Sequence, residues 1–555
     1  MTEFLYKFRS IEALLGEYKE LENQEIYFAS PNQLNDPIEG FMDIFWKGDE
    51  IVWKNFIKHY LFCLHHTCIS LLISQNIGCE IFSMPKLPPN LTSKKDSYIW
   101  TTENNHLYYI KEDGNKETVP LVNVELFKNE FAKLNITNQG YNLSRGQIDL
   151  LITSNGGHVY RRFDLIDDDI PVLLTIEDLK TDAHKEMLRE IYSLFFKSDK
   201  ALAYPKLLAS RKRAIRRDEL LFHLQSIYPY ALNCIFTIFK ENKLMPEINF
   251  PNTSAVEQLL DSKRFEMINK MEDENLHESN ITEKFYAQLK NNFLKSDLRL
   301  LSDTEMFLYD RNKRFVFLEF PARYIKQLNK IIHYKWYTAC FSSSYDNSAM
   351  WGYYGNNHRG VCLKFKTQLN SESKPTIKLR YVVDSNGNKG NNKLNYSWQD
   401  FIFYKVDYNR KYPEIDFFCS IGRLPTPVLM KYWYMDENKN ISVCANIYKQ
   451  QEWITKYWND FYSGITAKLV EWGHEQEYRL VFPSSGDQNA EQRKLKYNFS
   501  DLEGIIFGIE TTVEDKMRIT KIVAEKCKNE NRNNFNFYQA YYCHQDGKFK
   551  IISIK

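Results

Sequence analysis

The sequence has few of the features that mark specialised classes of protein. Ten cysteines are spread irregularly over 555 residues with no C-x-x-C pair, which argues against a disulfide-stabilised scaffold and favours reduced thiols. The 21 glycines and 17 prolines are too few for a collagen-like or linker-like chain. Lysine and arginine (73) almost balance aspartate and glutamate (71), so the net charge of +2 argues against a protein that binds polyanions over its whole surface.

Long hydrophobic runs are also missing. The longest apolar tract, Leu61–Ile73, contains two histidines and has 13 residues, whereas a membrane span needs about 20. The segment Met1–Arg9 has no apolar stretch of signal-peptide length. We therefore expect a cytoplasmic protein with no membrane partner.

What the chain does contain is typical of a large globular protein. Hydrophobic residues make up 43% of it and aromatic residues 15%, which is far too much for intrinsic disorder. At roughly 150 residues per domain, the length corresponds to three or four domains.

The order of predicted elements indicates an α+β fold in which both ends of the chain build one β-containing core. Residues 1–45 would form the first part of this core, and residues 331–555 the second part with the candidate active site. Residues 46–330 would be a large, mainly helical insertion with a β-hairpin near 98–122, where two alternating runs flank an Asp-Gly-Asn turn.

Several well-known catalytic motifs are absent. The sequence has no phosphate-binding loop of the form G-x-x-x-x-G-K-[ST], no G-x-G-x-x-G after a predicted strand and no G-x-S-x-G. A Cys/His cluster at Cys63, His65, His66 and Cys68 is interpreted as part of a buried helix face, because one helical turn cannot direct all four side chains to one metal ion. The sequence therefore predicts no metal site.

A basic stripe is predicted on a helix at Arg211, Arg213, Arg216 and Arg217. Such a stripe is most often a solvated helix face beside acidic residues. The alternative interpretation is a contact with nucleic acid or another anion.

Three segments carry residue types that suit chemistry on a nucleotide. LYKFRS ends a predicted strand at Arg9, and ACFSSSYDNSAMWGYYG contains Ser342 and Ser343 at the end of another. HEQEYRLVFP has Glu475 and Glu477 two residues apart, a spacing that directs both carboxylates to one face of a strand. An arginine, a serine cluster and a Glu-x-Glu pair in this order resemble the arginine–serine–glutamate signature of ADP-ribosyltransferases.

That resemblance implies an enzyme whose substrate is NAD. Arg9 would hold the pyrophosphate or ribose, Ser342 or Ser343 would order the site, Glu477 would contact the ribose as nicotinamide leaves, and Glu475 would act as the base. A fixed carboxylate stabilises the positive charge that develops on the ribose.

The same resemblance implies an aromatic side chain that stacks on nicotinamide. Trp351, Tyr353 and Tyr354 are the candidates, since a flat cationic ring favours an aromatic face.

The residues by themselves also allow a purely structural interpretation. Glu477 would then belong to a salt-bridged strand end, paired with Arg479 or Lys468. The middle element also reads S-S-S, where the enzymes usually have S-T-S.

A second resemblance covers both ends of the chain, about 270 residues in all. Its segments are LYKFRS, IYFASPNQLNDPIEG, FSSSYDNSAMWGYYGNNHRGVCLKF, TAKLVEWGHEQEYRLVF, EGIIFGIETTVEDKMRI and FYQA. Together they are similar to the bacterial domain-of-unknown-function 2971 family (DUF2971). Membership would leave the activity open, although accessory bacterial genes of this kind suggest a toxin or antiviral defence role by analogy.

The leading hypothesis is an ADP-ribosyltransferase-like or NAD glycohydrolase effector, with NAD as substrate and a protein or nucleic acid as acceptor. The helical insertion would select the target or hold a defence-system partner. One alternative is a non-catalytic module that binds a nucleotide or nucleic acid through the basic stripe. Another is a Mg²⁺-dependent nuclease-like effector that uses Asp36, Glu39, Glu475 and Glu477.

Overall fold

A computed structural model describes residues 4–36, 38–82, 165, 170–179, 181–244, 256–257, 260, 284–291, 295, 311–388, 391–409 and 412–554, and short strands between 99 and 159. Its helices and its large mixed sheet confirm the predicted α+β class.

The strands are numbered in chain order. They are β1 (Phe4–Arg9), β2 (Glu25–Tyr27), β3 (Asp43–Phe45), β4 (Ile99–Glu103), β5 (His106–Ile110), β6 (Lys116–Val119), β7 (Leu151–Ile152), β8 (Gly157–Val159), β9 (Lys335–Ser342), β10 (Val361–Lys366), β11 (Gln368–Leu369), β12 (Pro375–Asn388), β13 (Asn391–Lys405), β14 (Glu414–Asp416), β15 (Glu477–Ser484), β16 (Lys494–Tyr497), β17 (Leu502–Phe507), β18 (Asn536–Cys543) and β19 (Lys548–Ser553).

The α-helices are numbered in the same way. They are α1 (Ile11–Leu15), α2 (Glu20–Asn23), α3 (Glu50–Phe82), α4 (Asp182–Phe196), α5 (Asp199–Ala209), α6 (Arg217–Glu241), α7 (Arg311–Arg314), α8 (Phe320–Gln327), α9 (Asn329–Ile332), α10 (Ser348–Tyr353), α11 (Thr426–Trp433), α12 (Trp453–Thr466) and α13 (Val513–Asn529). A π-helical turn, Phe315–Glu319, separates α7 from α8, and short 3₁₀ turns lie at Pro31–Gln33, Ile176–Asp178, Val443–Lys449, Val470–Glu475 and Phe499–Asp501.

The chain divides into two compact units. The first contains residues 1–43, 334–414 and 454–555, and the second contains residues 44–333 and 415–453. Residues 415–453, expected in the second part of the core, group with 44–333 in the structure.

The first unit is built on one curled sheet of twelve strands. Its order is β19-β18-β17-β10-β1-β9-β15-β13-β12-β16-β2, with β11 beside β12. Neighbouring strands are antiparallel except for β17 and β18, which are parallel.

Pairing within this sheet is interrupted at one place. Strand β1 pairs with β10 over all six of its residues, and β9 pairs with β15 over eight. Between β1 and β9 only Tyr6 and Ser342 are paired. The sheet therefore consists of two well-paired halves that meet at a single position.

Alternation along the strands gives each face of the sheet its own core. One face carries Leu5, Phe341, Leu363 and Leu480, packed with many other apolar side chains. The other face carries a smaller cluster, which consists of Phe8, Met350, Trp351, Cys362, Ile506 and Ala540. Because successive residues of a strand face opposite sides, neighbours on β1 belong to different cores.

The second unit combines helices with small sheets. Helix α3 packs against α5, α4, α6 and α11. The strands β6, β5, β4, β8 and β7 form a five-stranded antiparallel sheet, and β3 pairs with β14. Among the described residues, no helix is both long and apolar enough to cross a membrane.

Two local predictions from the sequence are wrong. The Asn/Gly-rich composition of residues 384–397 predicts a polar loop, but the described residues of this segment form the paired ends of β12 and β13. Main-chain pairing along this long hairpin does not depend on apolar side chains. The helical spacing of apolar residues over 11–21 predicts one helix, but the structure has two short helices, α1 and α2, because Lys19 adopts a left-handed conformation between them.

Gly360 lies where two main-chain segments approach closely. A Cβ atom at this position would clash with the carbonyl oxygen of Arg9 and lie 2.9 Å from that of Gly355. We expect Gly360→Ala to lower the free energy of unfolding by about 1–3 kcal/mol, measured by urea denaturation.

The matched control is Gly352→Ala, because a Cβ there meets no atom within 4 Å. This variant should be unchanged or more stable by up to about 1 kcal/mol, as expected for alanine in a helix. Equal effects of the two substitutions would contradict the close approach at Gly360.

A buried histidine pair lies between helices α3 and α4. The ring of His65 lies 4.9 Å from that of His184, and neither ring nitrogen of His65 has a hydrogen-bond partner among the described residues. Burial, and then the neighbouring histidines, lower the pKa of His65 well below its usual value, and burial lowers that of His184 to about 4. Both histidines are therefore neutral in the folded protein.

Because these pKa values are lower in the folded than in the unfolded chain, the unfolded state binds more protons below pH 6.5. Stability is therefore fully present above pH 6.5 and is lost as the pH falls toward 4. We expect His65→Leu to reduce the stability loss between pH 7 and pH 5 by about 2 kcal/mol in urea denaturation. The exposed His544→Leu is the control and should leave that loss unchanged.

Candidate functional site

The interruption between β1 and β9 opens a cleft in the first unit. Tyr6 pairs with Ser342, and Ser342 pairs on its other side with Glu477 of β15. Beyond Tyr6 the two strands no longer pair, and the cleft between them has a volume of about 170 Å³. Its lining includes Tyr6, Lys7, Phe8, Arg9, Tyr27, Glu39, Cys340, Ser342, Tyr354, Lys468, Glu475, Glu477 and Arg479.

Main-chain groups also face the cleft. Thr338 exchanges hydrogen bonds with Ala29, so alternate residues of β9 direct their N–H and C=O groups away from β15. The same alternation turns the main-chain groups of Cys340 toward the cleft, where its carbonyl accepts a hydrogen bond of 3.1 Å from the Lys7 Nζ. Counting from the Tyr6–Ser342 pair, the main-chain groups of Phe8 face the cleft from the other side.

Glu477 is fully buried and is held by two cations. Arg479 donates from Nε and Nη2 to its two carboxylate oxygens, each at 2.9 Å, and Lys468 Nζ lies 3.4 Å from Oε2. Burial alone would raise the pKa of this carboxyl, but Arg479 and Lys468 outweigh burial and lower it to about 2. Glu477 is therefore ionised at neutral pH.

Glu475 belongs to the same network. Its Oε2 accepts a hydrogen bond from Lys468 Nζ at 2.6 Å, and its Oε1 accepts one from the Tyr354 hydroxyl at 2.7 Å. Burial, and then Glu475, raise the pKa of Tyr354, so this hydroxyl stays protonated and donates.

Arg479 links Glu477 to a third carboxylate. Its Nη1 contacts both Glu39 and the carbonyl oxygen of Ile465. Burial is the main reason that the pKa of Glu39 is raised, and the nearby Arg479 opposes it. Around this end of the cleft, three carboxylates (Glu39, Glu475 and Glu477) face two cations (Lys468 and Arg479), which leaves one negative charge in excess when all are ionised.

Glu475 and Glu477 do not lie together on one strand, as their spacing in the sequence predicts. Strand β15 begins at Glu477, while Glu475 ends a 3₁₀ turn and Gln476 between them has a left-handed φ of 45°. They therefore do not follow the i, i+2 spacing of a strand, although both line the cleft.

The serines of the predicted signature differ in their placement. Ser342 is buried, and its Oγ donates to the main-chain oxygen of Glu475 at 2.9 Å and accepts from the N–H of Ser344 at 3.1 Å. Ser342 thus connects β9 to the turn that carries Glu475. Ser343 is exposed, does not line the cleft and donates from Oγ to the side chain of Gln476.

Arg9 lines the cleft but is already paired. Its Nε donates to Glu20 Oε2 at 2.6 Å, and its Nη2 contacts the other oxygen of the same carboxylate. It lies on the face of β1 that carries Leu5, whereas Glu477 lies on the face of Tyr6. Arg9 and Glu477 line one cleft only because the sheet is interrupted between their strands.

The aromatic candidates are separated by the structure. Trp351 is 1% exposed, and its indole N–H donates to the carbonyl of Tyr345. Tyr353 is 72% exposed, and neither it nor Trp351 lines the cleft. Of the three candidates, Tyr354 is the one that does.

The basic segment lies in the second unit and is not a helical stripe. Residues 211–216 precede α6, and Arg211 and Arg213 each form an ion pair of 2.6 Å with buried Glu219 in the first turn of that helix. Arg216 lies 5.3 Å from the ring of Phe45, and Arg217 begins α6. Helix α6 therefore begins only at Arg217, after the segment in which Arg211 and Arg213 fold back and pair with Glu219.

The carboxylates of the nuclease alternative are only partly grouped. Glu39, Glu475 and Glu477 line the cleft together with cations, whereas Asp36 accepts a hydrogen bond from the N–H of Ile38 in an Asx turn. In the described part of the chain, no group of three or more His, Cys, Asp or Glu residues is arranged to hold a metal ion.

Lys7 was not named from the sequence. Lys468 and Arg479 were named only as ion-pair partners of Glu477 in the structural interpretation, and the structure shows both pairs. The i, i+2 spacings of Lys7 with Arg9 and of Glu477 with Arg479 were the available signals, since such residues share a face of a strand. Lys468 had no local signal, because it precedes the 3₁₀ turn and reaches the cleft through the tertiary structure.

Without Arg479, Glu39 would lose its cationic partner and Glu477 would keep only Lys468. We expect Arg479→Leu to lower the free energy of unfolding at pH 7 by about 3–5 kcal/mol, because a buried charge loses its partner. The control is Arg518→Leu, which removes an exposed pair with Asp515 and should cost at most about 1 kcal/mol.

The pH dependence provides a second readout for Arg479→Leu. In the wild type, the lowered pKa of Glu477 contributes stability that is present above pH 4.5 and is lost as the pH falls toward 2. Without Arg479 this contribution is reduced, so the difference between the two proteins should shrink as the pH is lowered from 5 toward 3. A difference that does not depend on pH would contradict the ionic role of Arg479.

Comparison with known proteins gives one match. The family model described as protein of unknown function (DUF2971) matches residues 350–480, which include α10, Tyr354, Lys468 and the Glu475–Arg479 segment. Neither the curated proteins nor the solved structures contain a match. The chain is thus similar over residues 350–480 to the DUF2971 family, which supports the resemblance seen in its sequence.

Proposed function

We propose that the cleft binds NAD and cleaves its N-glycosidic bond, in a split core like that of ADP-ribosyltransferases. The observation that carries the proposal is the grouping of Ser342, Glu475 and Glu477 beside β1, at a cleft end that has one negative charge in excess when its three carboxylates are ionised. Cleavage of this bond develops positive charge on the ribose, and a preorganised negative charge stabilises it.

The size of the cleft agrees with one end of a dinucleotide. Pockets that bury a whole ligand have volumes of roughly 300–1,000 Å³. The cleft, at about 170 Å³, would accept the nicotinamide ribose while the rest of NAD extends outward.

Glu477 is proposed to stabilise the ribose cation. Arg479 and Lys468 keep its carboxylate ionised and fix its position, so no proton has to be removed before the reaction. The nicotinamide leaves as a neutral molecule and takes the electrons of the glycosidic bond with it.

Glu475 is proposed to act as the base. Its carboxylate would accept a proton from water, or from the hydroxyl or amine of an acceptor, as that group attacks the ribose C1 atom. Lys468 and Tyr354 hold this carboxylate, and Ser342 holds its main chain. With water as nucleophile, NAD and water give nicotinamide, ADP-ribose and a proton.

We propose an effector role, as a toxin or in bacterial anti-phage defence, with a protein or nucleic acid as acceptor. This part of the proposal is supported by analogy with the DUF2971 family alone.

The experiment is to incubate the purified chain with NAD labelled in its adenine half, with and without cell extract. We expect nicotinamide release, and label transfer if a macromolecular acceptor is used. Glu477→Gln should reduce the rate about 10²–10³-fold, because the neutral amide keeps the shape of the side chain but not its charge.

The matched control is Glu471→Gln, which changes an exposed glutamate in the 3₁₀ turn before Glu475 and should keep full activity. Thermal unfolding of each variant shows whether it is folded. The absence of nicotinamide release by the folded wild type, with extract present, would overturn the proposal.

A further inference from the structure

We propose that Lys7, rather than Arg9, is the residue through which the cleft binds a phosphate or pyrophosphate group. The inference deepens the proposed function, because a dinucleotide carries such a group, and rests on it for the biological ligand. Its geometric basis is the difference between the two cations on β1.

The charge of Arg9 is already neutralised by Glu20, which takes two of its five N–H donors. Its Nε and Nη2 both point at the carboxylate of Glu20, and this bidentate pair is the arrangement in which a guanidinium is best satisfied. A phosphate on the Nε–Nη2 edge would have to displace the buried Glu20, and one on the remaining donors would meet a cation whose charge Glu20 already balances.

Lys7 is in the opposite situation. It is 8% exposed and lines the cleft, and its Nζ donates one hydrogen bond, to the carbonyl of Cys340 at 3.1 Å. The Nζ also lies 4.8 Å from the centre of the Phe341 ring. Among the described residues, none forms an ion pair with Lys7, so an ammonium group with three donors has a neutral acceptor and an aromatic face as its environment.

Charged or titratable groups on four elements influence the pKa of Lys7. Burial is the main cause that lowers its pKa to about 8, and Arg9 on the same strand acts in the same direction. Cys340 on β9, Glu20 on α2 and Glu477 on β15 act in the opposite direction but do not restore the usual value.

A bound anion would give Lys7 the ion-pair partner that it lacks among the described residues. A phosphate oxygen beside Lys7 would form a charge-assisted hydrogen bond and favour the ammonium form. The main-chain N–H of Phe8 faces the same cleft and is a second donor for a phosphate oxygen. Lys7 lines the same cleft as Glu475 and Glu477, so a ligand anchored at Lys7 by phosphate shares that space with the carboxylates.

Proton linkage follows from this arrangement. In the free protein, Lys7 is partly neutral near pH 8, and binding of an anion raises its pKa. Binding at pH 8 and above should therefore take up protons, and the affinity should fall as the pH rises from 7 to 9.

The test is isothermal titration calorimetry with inorganic pyrophosphate and with ADP, at pH 7 and pH 9, in two buffers of different ionisation enthalpy. We expect the wild type to bind both ligands with proton uptake at pH 9. Lys7→Met should weaken binding at least about tenfold, as for loss of a hydrogen bond to a charged group. The exposed strand lysine in Lys366→Met is the control and should bind as the wild type does.

Lys7→Arg provides a second variant if Lys7→Met does not fold. Because a guanidinium stays charged throughout this range, this variant should lose the proton uptake and the fall in affinity that Lys7 causes, and the pH dependence that remains should be that of the ligand's own phosphate groups.

Each of three results would overturn the inference. They are failure of the wild type to bind either ligand, wild-type affinity in folded Lys7→Met, and proton uptake that is unchanged in Lys7→Arg. Neither ligand contains a nicotinamide ribose bond, so these outcomes do not depend on NAD cleavage. Conversely, NAD cleavage that is fully retained without pyrophosphate binding would overturn the role of Lys7 and leave the proposed function standing.

Discussion

The cleft in the first unit depends on the missing main-chain pairs between β1 and β9. Strands normally pair along their length because unpaired main-chain groups are costly to bury. Here the sheet pairs fully on either side of one position, Tyr6 with Ser342, and the groups beyond it border a cleft. Side chains from both faces of the sheet can therefore meet in one space, which a continuous sheet would prevent.

Nearly all of the buried charges in the cleft are paired with an opposite charge. Glu20 holds Arg9, while Lys468 and Arg479 hold Glu39, Glu475 and Glu477. A buried ion pair contributes little net stability, but a buried charge without its partner is strongly destabilising. The network is therefore better understood as a means of keeping several ionised groups in fixed positions than as a source of stability.

The sequence predicted the elements of the fold better than the chemistry of the site. Strands β1, β9 and β15 were recognisable from their apolar alternation, and Ser342, Glu475 and Glu477 were named as neighbours in one site. Arg479 and Lys468 were named as partners of Glu477 only in the structural interpretation, and Glu39 only in the nuclease alternative. Glu20 was not named, since it comes from a segment with no local signal for the cleft. Arg9 was assigned to phosphate because its ion pair with Glu20, a residue of α2, is not visible in the sequence pattern.

Local conformations were missed where a single residue changes the direction of the chain. Gln476 and Lys19 both have left-handed φ angles, and neither is a glycine or an asparagine, the residues that usually signal such a turn. The turn at Gln476 removed the expected strand spacing of Glu475 and Glu477. Similarly, the arginines before α6 were expected on a helix because the buried charge of Glu219, which attracts them, is not visible in a charge pattern.

The separation of β1 from its partners along the chain has a consequence for biosynthesis. Lys7 and Cys340, which border the same cleft, are 333 residues apart, and β10, the full partner of β1, follows later still. At 5–20 residues per second, a ribosome needs roughly 15–70 s to synthesise this interval. During that time β1 has neither neighbour, and the cleft does not exist. A nascent chain would thus carry an unpaired strand that a chaperone can bind, and it would acquire its complete site only after β15 has been synthesised.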